Sequence, residues 1–75
     1  MINLTEREKE VMELISKGLT NKEISKELCI SLSTTATHIG HIYSKFGLEN
    51  KNNDALGVIR IRLVLKYFEM MKRLI

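Results

Sequence analysis

The chain has 75 residues, 44% of them hydrophobic and 28% charged, with a formal net charge of +3, a single cysteine, four glycines and no proline. This length admits one small core whose stability is marginal alone, and the composition carries no sign of a disordered tail, linker, repeat, disulfide framework or membrane-spanning segment. The first residues lack the apolar run of a signal peptide, so a reducing cytoplasm is the expected setting.

Thr5 and Glu8, three apart, have the spacing of a capping box. Val11, Met12, Leu14 and Ile15 then form an inner stripe, and Gly18 follows the last periodic residue. A first helix over about residues 6–17 is predicted, with Leu4 and Leu19 closing the core at its ends. Its glutamates read as a solvated face, the early ones favoured by the helix dipole.

Thr20 and Glu23 repeat the capping-box signal and start a second helix over about residues 21–28. Ile24 and Leu28 share one face, Ser25 beside them is small enough for another helix to approach closely, and Lys22, Lys26 and Glu27 face water. Cys29, Ile30 and Ser31 form a turn, Ile30 as an apolar plug and Ser31 as the cap of a third helix over about residues 32–46, which Gly47 ends. Two short helices joined by so short a turn make a helix-turn-helix, and nucleic acid is the first partner this implies. Along the third helix Thr35, Ile39, Ile42 and Phe46 recur at helical spacing and should face the core. Ser33, Ala36, Thr37, Gly40, His41 and Ser44 are then turned outward, where a groove-facing helix would present them to bases.

The last segment, from an Asn52 or Asn53 cap, holds no breaker and predicts a fourth helix over about residues 53–74, roughly 30 Å long. Ile59-Arg60-Ile61-Arg62-Leu63 alternates with strand period, but the surrounding helical pattern outweighs it. Apolar residues cover most of the circumference, leaving a narrow polar stripe at Arg62, Lys66, Glu69 and Arg73. That is too much apolar surface for one small core, so part of it either buries against a second copy, which we favour, or folds back on its own domain. Ile61, Leu65, Phe68 and Met71 are the residues expected at a homodimer interface.

The basic surplus is uneven. Residues 1–30 are slightly acidic, whereas over residues 60–75 Arg60, Arg62, Lys66, Lys72 and Arg73 face only Glu69. His38 and His41 have a spacing metal sites use, yet only Cys29 is at hand as a third ligand, so no metal and no cofactor are expected. No nucleophile with its base, glycine-rich loop or paired carboxylates suggests an enzyme.

LTEREKEVMELISKGLTNKEISKEL at Leu4 to Leu28, Ile30-Ser31, Thr34, His38 and KFGLENK at Lys45 to Lys51 together resemble the LuxR/FixJ/GerE-type DNA-binding domain of bacterial transcription regulators. The resemblance covers nearly the whole chain. It implies an all-α, four-helix domain, here with an extended last helix. The third helix would enter the major groove of double-stranded DNA, the second helix and flanking turns would touch phosphates, and the fourth would pair two copies.

On that reading Asn21, Lys22, Ser31, Thr34, Lys45 and Lys51 contact phosphates, while Ser33, Ala36, Thr37, Gly40 and His41 face bases. The chain departs from the family's pattern at the readers: Thr35 and Ala36 stand where relatives usually carry a valine and a lysine, and Lys51 replaces a usual arginine. With few basic residues around the third helix, about three to five phosphates per subunit would be neutralised.

A rival reading is a protein-interaction module that has lost base readout and docks its apolar last helix onto RNA polymerase or another regulator. The promoter-reading domain of sigma factors ranks third, for want of an arginine-rich recognition helix. Relatives often carry this domain behind a receiver or ligand-binding domain, so the chain is either complete at 75 residues or a piece of a longer regulator.

Overall fold

The protein is described by a computed structural model over residues 2–48 and 56–73. Four helices follow one another: α1 (Glu6–Ser16), α2 (Asn21–Leu28), α3 (Leu32–Lys45) and α4 (Leu56–Lys72). Two capping boxes set the starts of α1 and α2. Thr5 Oγ1 accepts the Glu8 N–H and Glu8 Oε1 accepts the Thr5 N–H, an exchange that Thr20 and Glu23 repeat. The predicted ends of α1 and α3 shorten by one residue, because Lys17 and Phe46 serve as closing caps. The expected Asn52 or Asn53 cap of α4 lies outside the described residues, as does Lys51.

The first three helices all end in the same way. Gly18 N–H bonds Ile15 O while Leu19 N–H bonds Leu14 O; Cys29 and Ile30 bond Lys26 O and Ser25 O; Gly47 and Leu48 bond Ser44 O and Tyr43 O. Each is a Schellman closure, which needs one residue in the left-handed region. Gly18 (φ 89°) and Gly47 (φ 70°) meet that need without strain, but at the helix-turn-helix turn the residue is Cys29, with φ 55°.

Val11, Met12 and Ile15 of α1, Ile24 of α2, and Thr35, Ile39, Ile42 and Phe46 of α3 close on one another, with Leu4 at the edge, as their spacing predicts. Leu19 and Leu28 are partly buried against the same core. From α4 come Ile59, Leu63 and Tyr67, four apart on one face. The opposite face of α4 leaves Val58, Ile61, Leu65, Phe68 and Met71 exposed. Among the described residues no helix is long and apolar enough to cross a membrane.

The left-handed Cys29 makes the turn a point of stored strain. Cys29→Gly should be more stable than Cys29→Val by about 1–2 kcal/mol, read from the midpoints of urea denaturation.

Candidate nucleic-acid interface

The orientation of α3 rests on hydroxyl chemistry at its start. Ser31 Oγ accepts the Thr34 N–H at 3.1 Å and donates to Thr34 Oγ1 at 2.8 Å, with Ser33 Oγ at 3.1 Å. Thr35, one residue on, is fully buried and bonds Ser25 Oγ of α2 at 2.7 Å. With Thr35, Ile39 and Ile42 committed to the core, the other side of α3 holds Ser33, Ala36, Thr37, Gly40 and His41, all exposed. These five therefore share a solvent face. Thr37 Oγ1 donates to Ser33 O at 3.0 Å, which leaves its methyl and an oxygen lone pair to a partner. Leu32, which sequence reasoning left unassigned, is 55% exposed at the start of the helix. As the first helical residue it lies ahead of the turn that would have covered it.

The residues expected at phosphates divide into two kinds. Lys22, Ser31 and Thr34 are exposed around the starts of α2 and α3, and Thr34, having accepted from Ser31, keeps its own proton to donate. Asn21 and Lys45 are already engaged. Asn21 Oδ1 accepts from Arg60 Nη1 of α4 at 2.7 Å, and Lys45 Nζ donates to Glu8 Oε1 of α1 and to Asn3 O.

The profile of the family described as bacterial regulatory proteins, luxR family, matches residues 2–56. The chain belongs to that family. Its similarity extends to the transcriptional regulatory protein LiaR of Bacillus subtilis, 44% identical over 62 residues, which is 83% of this chain and 29% of LiaR. It is also similar to the oxygen regulatory protein NreC of Staphylococcus aureus, 46% identical over 48 residues, 64% of this chain and 22% of NreC. A protein of Mycobacterium bovis is 45% identical over 49 residues, only 6% of its own length. The chain thus spans under a third of each of these relatives. It carries the DNA-binding helix-turn-helix of transcription regulators, on an all-α fold.

In this luxR-family domain one acidic residue departs from the solvated face that its spacing suggested. Glu8 is only 4% exposed, because the chain folds Lys45 and His41 of α3 over it. Burial pushes its carboxyl up, but the hydrogen bond from Lys45, the Thr5 N–H, and the charges of Lys45 and His41 together outweigh that and hold it below its ordinary value of 4.5. His41 itself is exposed, its Nδ1 4.0 Å from Glu8 Oε2. The Glu8–Lys45 pair ties α1 to the end of α3 and so fixes how far the exposed face projects.

A carboxyl held below its unfolded value contributes stability above that value and loses it as the pH falls through the folded one. Glu8→Gln should therefore melt below the wild type at neutral pH. The two should converge as thermal scans are taken from pH 4.5 downward, since protonating Glu8 removes the same charge.

Proposed function

We propose that the domain reads an inverted repeat in double-stranded DNA as a homodimer, with α3 in the major groove. What carries the reading is the single exposed face of Ser33, Ala36, Thr37, Gly40 and His41 on a helix otherwise cemented to its core. Ala36 and the Thr37 methyl suit apolar contact with thymine methyls, and His41 or Ser33 can bond base edges. Lys22, Ser31 and Thr34 set the register on phosphates. Because the Lys45 ammonium is engaged by Glu8, the salt slope should sit at the shallow end, about three phosphates per subunit. The 75 residues act as one domain, and the exposed stripe from Val58 through Ile61, Leu65 and Phe68 to Met71 pairs with the same stripe of a second copy.

A second reading, an interaction module docking α4 onto RNA polymerase or another regulator, is favoured by one observation: none of the five exposed α3 residues carries a lysine or arginine. Recovery of bound duplexes from a random pool at moderate salt separates the two. Enrichment of an inverted repeat is expected; a recovered pool identical to the input would leave the interaction module. Lys22→Ala should weaken all sequences alike, whereas Thr37→Ala should change which sequence is enriched.

Leu65 is 63% exposed, so Leu65→Glu should leave the helical circular-dichroism signal intact. Sedimentation should then shift toward monomer, and operator binding should weaken at least tenfold.

A further inference from the structure

Among the described residues, Arg60 is the one cation of α4 that reaches the start of the helix-turn-helix. Its guanidinium bridges two acceptors, Nη1 to Asn21 Oδ1 at 2.7 Å and Nη2 to Leu19 O at 2.6 Å. Those acceptors stand on either side of Thr20, the N-cap of α2. Burial pushes the Tyr43 phenol of α3 up, and the positive charge of Arg60 offsets part of the push. One side chain thus joins α4 to the start of α2.

Its placement is not explained by the helix field. A cation at a helix N-terminus opposes the macrodipole, so two directed hydrogen bonds must hold it there. A lysine would not reproduce this geometry, since its shorter reach ends in a single tetrahedral nitrogen, whereas the planar guanidinium gives each acceptor its own nitrogen. The fork also decides which way the Asn21 amide faces. With Oδ1 occupied by Arg60, and no acceptor for Nδ2 among the described residues, both N–H donors of Asn21 Nδ2 can meet another partner, polarised by the cation behind them.

We propose that Arg60 is a positioning residue that orients the Asn21 amide and the first turn of α2 toward the DNA backbone, making α4 part of the phosphate grip. The inference rests on the DNA-binding reading above. A helix that pairs two copies would then also set, in each copy, the group that meets the phosphate, so dimer geometry and backbone contact are mechanically linked.

The test compares the 75-residue protein with Arg60→Gln, Arg60→Lys, Asn21→Ala and the Arg60→Gln/Asn21→Ala double variant, titrated with the enriched operator at several salt concentrations. Each single variant should lose affinity about tenfold for every sequence without altering the preferred one, and Asn21→Ala should leave the salt slope unchanged, because the group that meets the phosphate is a neutral amide. The double variant should bind no worse than Arg60→Gln, because the two act as one unit. Arg60→Lys should fail to restore binding, although its charge is intact. The proposal is overturned if Arg60→Lys binds as the wild type does, if the double variant loses the sum of the single losses, or if melting temperature falls while the folded protein's affinity holds. Should Arg60→Gln not fold, Asn21→Ala and Arg60→Lys carry the same comparison. A wild type that enriches nothing from the pool speaks against DNA binding itself and is seen before any variant is made.

Discussion

A buried pair of hydroxyls sets the geometry on which this domain depends. Ser25 Oγ of α2 and Thr35 Oγ1 of α3 lie 2.7 Å apart, and each also bonds a carbonyl of its own helix, Asn21 O and Ser31 O. With one proton each, the two hydroxyls make two of these three bonds at a time: whichever donates across the helices leaves the other to donate to its own carbonyl. Each bond adds only about 0.5–1.5 kcal/mol net. The larger free energy comes from Ile24, Ile39 and Ile42, all buried beside it. What the hydroxyl pair adds is direction: small side chains let α2 and α3 approach closely, and the bond selects one rotation of α3 about its axis. That rotation decides that Ser33, Ala36, Thr37, Gly40 and His41 look outward together. Thr35 has about the volume of a valine and adds this bond.

Charge in the domain is organised differently from its distribution along the chain. Lys45 and Arg60, two cations that could have met phosphate directly, are turned inward to Glu8 and to Asn21 with Leu19 O. Each joins elements far apart in sequence, and a buried carboxylate such as Glu8 is tolerable only because its partners are present. The face of Ser33, Ala36, Thr37, Gly40 and His41 is left without lysine or arginine, suited to methyl and hydroxyl contacts. Helix α4 completes the picture with two opposed apolar faces, one spent on the domain's own core and one exposed. A face of that kind on so small a domain is costly in water, which is the physical ground for the proposed pairing with a second copy.

Local signals made most of the fold legible. The Thr5/Glu8 and Thr20/Glu23 pairs, Ser31 and the glycines at 18 and 47 marked where α1, α2 and α3 begin or end, because capping is a matter between residues three to six apart. Helical periodicity identified Val11, Met12, Ile15, Ile24, Thr35, Ile39, Ile42 and Phe46 as core, and the same arithmetic turned the α3 face outward. The left-handed conformation at Cys29 gave no such signal, since cysteine has no preference for it and only the demand of the closing turn imposes it.

The sequence by itself therefore determined the helices, their capping and which face of each is apolar, all consequences of interactions within a turn or two. Only the tertiary structure decided that Glu8 is buried rather than solvated, that Lys45 and Arg60 are anchors, that Leu32 lies bare, and which of the two apolar faces of α4 meets the core. The ion pair and the guanidinium bonds span 37 to 41 positions. Charge and hydropathy say that such residues need partners, but which partner each one finds is fixed only when the helices pack.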